Sequence, residues 1–179
     1  MSGSVRLDGA SMNNPMRIIL MGNAGAGKTT MAQSILINHP ISRLSLDEIA
    51  YGETAERRPF AESEADLLNF ISTHSAWIME GVYGDLIQVA LPFCTELIFL
   101  NPGLETCVAH CLARPWEPTK FKTAAEQDQM LGVLIEWVKA YYTRTDQTGY
   151  AFHRQLFETF TGPKQELTDE FKPTSVKPT

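Results

Sequence analysis

The chain has 179 residues and a mass of 20.0 kDa, of which 44% are hydrophobic and 20% charged, a globular composition that excludes a disordered or fibrous chain and suits one packed core. Lys plus Arg number 15 against 21 Asp plus Glu, so the formal charge is −6 and bulk electrostatics does not draw the chain to nucleic acid or anionic lipid. The longest apolar runs, at 16–21 and 97–100, are strand-sized and far below the roughly 20 residues of a membrane-spanning helix.

Residues 1–15 are rich in Ser, Gly and Asn without a hydrophobic period and read as a flexible leader. Residues 171–179, with Pro173 and Pro178, read as a loose tail, which leaves 16–170 as one domain. The first strand spans 16–21 and is apolar except for Arg17, as burial on both faces requires. A glycine-rich loop and a helix over 28–38 follow. The second strand spans 43–46 and stops at Asp47, and 62–72 then carries Leu67, Leu68, Phe70 and Ile71 on a helical face. The third spans 77–79 and stops at Glu80; the fourth spans 97–100 and stops at Asn101. A helix over 104–112 breaks near Pro115. Thr123 with Glu126 forms a capping box opening a long helix, with Met130, Val133, Leu134, Trp137, Val138 and Tyr141 on its apolar face, that ends near Tyr142. A short piece at 164–167 supplies the fifth strand. Strands alternating with helices predict a three-layer α/β/α fold around a parallel sheet of about five strands.

The N-terminus has no basic segment leading into an apolar stretch, and Cys94, Cys107 and Cys111 make a poor disulfide framework, so the reduced cytoplasm is the expected compartment. Cys107 and Cys111 stand one helical turn apart. A metal pair would need a second ligand pair, which the sequence does not offer, so core packing is the expectation.

Gly22-Asn23-Ala24-Gly25-Ala26-Gly27-Lys28-Thr29 fits the P-loop pattern, between a buried strand and a helix start. Glycines let backbone N–H groups turn inward around phosphate oxygens, and the helix N-terminus adds the positive end of its dipole. These residues and Thr30 are therefore the candidate ATP site, with Lys28 reaching the β and γ phosphates and the Thr29 hydroxyl on Mg2+. A P-loop also needs an acid near the metal, and in a parallel sheet the carboxyl ends of the strands share its edge. Glu80, followed by Gly81, suits Mg2+ directly or through water. Asp47 suits proton acceptance from an acceptor hydroxyl, with a helix N-cap as the alternative.

GNAGAGKT, LSLDEIAY after the second strand, WIMEGVYG at the third, LIFLNPG at the fourth and the basic ARPW segment occur in that order. With them, over residues 16–145, the chain resembles the small P-loop kinases of the adenylate kinase and shikimate kinase group. Within that group it is most similar to the branch labelled DNA topology modulation proteins or adenylate kinase-related kinases. The resemblance implies a nucleoside monophosphate kinase-like fold in which the segment after the second strand holds the phosphate acceptor and a segment before the fifth closes as a lid. It assigns Asp47, Arg57, Arg58, Gly81 and Tyr83 to the acceptor pocket. It makes Arg114 and Arg144 the catalytic lid arginines, with Lys120 and Lys122 beside them and a lid over about 114–123. A solvated side chain is the alternative for each arginine.

The chain departs from the pattern after the third strand. Glu80-Gly81-Val82-Tyr83-Gly84 stands where shikimate kinase has Gly-Gly-Gly, and the Pro-Arg that follows Asp-Gly in adenylate kinases is missing. The expectation is a kinase that uses ATP and Mg2+ to phosphorylate a small-molecule nucleotide or hydroxyl metabolite. An ATP-dependent regulatory protein of the topology modulation type is the alternative.

Overall fold

The computed structural model describes residues 14–52, 56–115 and 123–173. β1 (Arg17–Gly22) is buried from Ile18 onward, and its side chains alternate between two cores, Ile18 and Leu20 on one side and Ile19 and Met21 on the other. β2 (Ser42–Ser45), β3 (Trp77–Gly81), β4 (Glu96–Leu100) and β5 (Lys164–Leu167) join it in one parallel sheet of order β2-β3-β1-β4-β5.

Helices cover both faces. α1 (Lys28–Asn38), α5 (Leu104–Leu112) and α6 (Ala124–Lys139) pack Met31, Cys107, Cys111, Ile135 and Val138 against one side. On the other side α2 (Leu46–Ala50), α3 (Phe60–Thr73), α4 (Gly84–Ala90) and α7 (Tyr150–Thr159) contribute Ile49, Leu67, Leu86 and Leu156. The architecture is the three-layer α/β/α fold with five parallel strands that the alternation predicts, the short fifth strand included. Cys107 and Cys111 are free thiols inside the core, where burial raises both their pKa values.

Several local expectations are corrected. α4 and α7 have no counterpart in the sequence reading: α4 has only seven residues, and α7, although Tyr150, Phe152, Leu156 and Phe157 pack on the core, places the ionisable His153 in the middle of its buried face. β2 starts and ends one residue early, so Asp47 lies inside the first turn of α2 and Ser45, not Asp47, occupies the cap position. α6 ends at Lys139, and a 3₁₀ turn over 140–142 carries Tyr141 into the core. At its start the Thr123 hydroxyl accepts from the Glu126 amide at 3.1 Å.

Parallel registration sets the site. Met21 pairs with Gly81, Gly22 with Leu100 and Ser45 with Glu80, so β1, β2 and β3 end on one edge of the sheet. The loop after β1, Asp47 after β2 and Glu80 at the end of β3 therefore share that edge.

Candidate active site

The loop between β1 and α1 turns through left-handed backbone at Gly25 (φ 77°) and Gly27 (φ 95°). A Cβ at Gly25 would lie 2.2 Å from the Cys107 carbonyl oxygen, so only glycine lets the loop rest on α5 in this conformation. Asn23 is buried; its Nδ2 donates to the Val138 carbonyl at 3.0 Å and its Oδ1 accepts from the Ala24 amide at 2.9 Å, tying the loop to α6. His110 Nδ1 donates to the Gly25 carbonyl at 2.7 Å and thereby ties the loop to α5 as well. Gly27 caps α1 with no side chain, which leaves the first-turn amides of Lys28, Thr29 and Thr30 without a capping partner. Such a cradle of amides at a helix N-terminus matches the oxygens of a phosphate.

Lys28 is buried, and its Nζ donates to the carbonyls of Gly22 at 3.1 Å and Asn23 at 2.7 Å. Burial holds its pKa below the ordinary lysine value, with Glu80 and Asp47 acting against that shift. Thr29 Oγ1 donates to Glu80 Oε1 at 3.2 Å, and the same carboxylate oxygen accepts from Arg43 Nη2 at 2.7 Å. A hydroxyl and a carboxylate are the hard oxygen ligands Mg2+ prefers, so the residues present fit that ion. Arg43 was missed by the sequence reading. The signal was a charge inside a strand of a sheet covered on both faces, which needs a partner.

Across the cleft, Tyr83 donates its phenolic hydrogen to Asp47 Oδ1 at 2.5 Å. Burial, reinforced by the Asp47 charge, pushes the Tyr83 phenol well above its usual pKa. Asp47 is exposed to the cleft, and among the described residues no other hydrogen-bond donor meets its carboxylate. Behind Tyr83, the backbone carbonyl of Val82 accepts from His153 Nε2 at 2.9 Å. A carbonyl can only accept, so Nε2 carries the hydrogen and Nδ1 accepts from the Tyr141 hydroxyl at 2.7 Å. His153 is fully buried, and burial lowers its pKa to about 4.

A pocket of about 440 Å3 joins these groups. Lys28, Thr29, Asp47, Glu80, Gly81, Tyr83 and Arg114 line it, and Met130, Leu131, Val133, Leu134 and Trp137 form an apolar wall along α6. Of the sequence-predicted residues, the remaining arginines turn elsewhere. Arg57 Nη2 meets both oxygens of Asp85, at 2.9 and 2.7 Å, with its guanidinium 5.3 Å from the centre of the Tyr83 ring. Arg58 bonds Asp66 at 2.7 Å and lies 3.5 Å from Glu62 on α3. Arg144 stacks on Trp137 at 3.6 Å and donates to the carbonyls of Trp137 and Thr148, at 2.7 and 3.1 Å. The geometry thus gives Arg144 a bracing role beneath the pocket wall and does not bring it or Arg58 to the pocket lining. Thr30 stands exposed on α1 outside the lining. Lys120, Lys122 and most of the expected lid over 114–123 lie outside the described residues.

The parallel sheet and the loop with its helix together make a P-loop kinase-like fold. The chain is similar to a deoxyadenosine kinase from M. mycoides solved with bound dATP, at 14% identity over 88% of this chain and 93% of that one, with a TM-score of 0.47. It is similar also to an unliganded sugar kinase from Janibacter sp., at 13% identity over 86% of this chain and 85% of that one, with a TM-score of 0.48. No family model matches the chain, and neither does any curated protein.

Proposed function

We propose that the chain is a Mg-ATP-dependent kinase that phosphorylates a small molecule. One observation carries this reading: Lys28, Thr29 and Glu80 on the phosphate side and Asp47 on the other line a single pocket. The P-loop amides and Lys28 bind the phosphates of ATP, and the guanidinium of Arg114 at the pocket lining adds a cation for charge on the transferring group. Thr29 and Glu80 would hold Mg2+, which neutralises phosphate charge when bound. Asp47 orients the acceptor hydroxyl and takes its proton as the acceptor oxygen bonds to the γ phosphorus and the bond from that phosphorus to the β,γ-bridging oxygen breaks, releasing ADP. Tyr83 holds the carboxylate for that role.

Three free thiols suit a reducing compartment such as the cytoplasm. No helix of the described residues is long and apolar enough to cross a membrane.

The test is Mg-ATP turnover by the purified chain with and without candidate acceptors, using Lys28→Ala as the blank. Loss of ATP binding or turnover in the variant is expected. Unchanged ATP affinity and hydrolysis would overturn the reading.

A further inference from the structure

The charge distribution around the pocket bears on which hydroxyl or phosphate compound it accepts. A phosphate-bearing acceptor needs cations on the acceptor side of the transferred group, because an anion carrying about two charges is otherwise desolvated beside Asp47. Among the described residues only Lys28 and Arg114 are cations at the lining: Lys28 is in the P-loop, and the kinase reading above gives Arg114 to the transferring phosphate.

The cations near the acceptor side are already neutralised. Arg57, which faces the Tyr83 ring, is held by both oxygens of Asp85. On the phosphate side Arg43 is paired with Glu80, and Arg58, outside the lining, is occupied by Asp66 and Glu62. What remains toward the acceptor is the Asp47 carboxylate with the Tyr51 and Tyr83 rings, facing the apolar wall of α6. A carboxylate attracts a hydroxyl hydrogen and repels a phosphate, and an apolar wall takes an uncharged body.

We propose that the acceptor of this pocket is an uncharged alcohol with an apolar or aromatic body, and that the Arg57–Asp85 pair, by leaving no spare cation beside Asp47 among the described residues, excludes the corresponding phosphate monoester. This rests on the kinase reading above and narrows it.

The experiment measures ADP release from Mg-ATP by the full chain with matched pairs, each alcohol beside its own phosphate monoester: nucleosides with their 5′-monophosphates, and polyols and amino alcohols with their monoesters. Direct ATP binding by the wild type and Lys28→Ala is measured separately, so failure of the nucleotide site is distinguished from failure of the acceptor assignment. Stimulation by at least one alcohol, about tenfold or more above its monoester, is expected. Equal or greater stimulation by any monoester overturns the proposal, and so does stimulation by no alcohol while ATP binding depends on Lys28. In Asp85→Asn, which frees Arg57, the preference for the alcohol should fall about tenfold. An unchanged preference in that variant overturns the role given to the pair.

Discussion

The Arg43 guanidinium meets the Glu80 carboxylate at 2.7 Å from the neighbouring strand, on the same oxygen that accepts from Thr29. Glu80 is 5% exposed, so in the absence of a metal ion Arg43 is its charge partner. Replacing Arg43 by Met leaves that carboxylate uncompensated. With Arg43 itself partly exposed, the loss is expected at about 1–3 kcal/mol, below the roughly 3–5 kcal/mol that breaking a fully buried pair costs. Mg-ATP should restore part of it, because a dication beside Glu80 replaces the lost charge. The expected result in thermal melts is a lower starting Tm and a larger rise with Mg-ATP in Arg43→Met than in the wild type. An equal rise in both chains would mean that Glu80 does not share its carboxylate with the metal.

Tyr83 and Asp47 make the second informative pair. A hydrogen bond to a charged group contributes about 1.5–3 kcal/mol, and here it fixes the carboxylate assigned to the acceptor hydroxyl. Tyr83→Phe removes the hydroxyl and keeps the ring. Acceptor-stimulated turnover should fall about tenfold or more, with the ATP dissociation constant unchanged. A matching loss of ATP affinity would assign Tyr83 to the nucleotide instead.

The sequence carried the elements that are periodic or punctuated. Residues 22–29 announce the loop because Gly25 and Gly27 take backbone that other residues avoid, whereas the polar residues Asp47 and Glu80 mark the strand ends only loosely: β2 ends at Ser45 and β3 runs through the buried Glu80 to Gly81. Even the short fifth strand was legible. Side-chain direction was not. Arg144 lies in the region where the resemblance expects lid arginines, yet only tertiary structure shows its guanidinium over the Trp137 ring. The apolar run along α6 divides in the same way: Val138 is buried, while Met130 and Val133 stay exposed at the pocket mouth, a split that helical spacing alone does not encode. His153 was invisible for a related reason, since its place in the core depends on two partners, Tyr141 and Val82, supplied by other elements.

Arg144 can be told apart from a lid residue by what its removal damages. It makes two hydrogen bonds to carbonyls and a close cation–π stack, so Arg144→Ala should lower stability by roughly 2 kcal/mol in urea unfolding. Mg-ATP affinity should change by less than about threefold, which is under 1 kcal/mol. Lost turnover with an unchanged urea midpoint would restore the lid role.

His153 makes stability depend on pH in a defined window. Its pKa in the folded chain is about 4, against about 6.5 for an unperturbed histidine, because burial disfavours the imidazolium and Nδ1 must stay unprotonated to accept from Tyr141. The unfolded chain therefore binds more protons between these values. The stabilisation is fully present above pH about 6.5 and is lost as pH falls toward about 4, amounting to about 3 kcal/mol over the window. The carboxylates of Asp146, Glu166 and Glu170, whose pKa values are lowered in the folded chain, lose stabilisation on acidification as well, so the wild type alone cannot isolate the histidine. Comparison with His153→Gln does, since an amide keeps a donor and an acceptor without titrating. Urea unfolding at a series of pH values should show a steeper fall for the wild type than for the variant between pH about 6.5 and 4. Because the histidine also holds the Val82 carbonyl behind Tyr83, acceptor-stimulated turnover should decline in the lower part of that window in the wild type and not in His153→Gln. Parallel stability profiles would show that His153 does not remain neutral in the folded chain over this range.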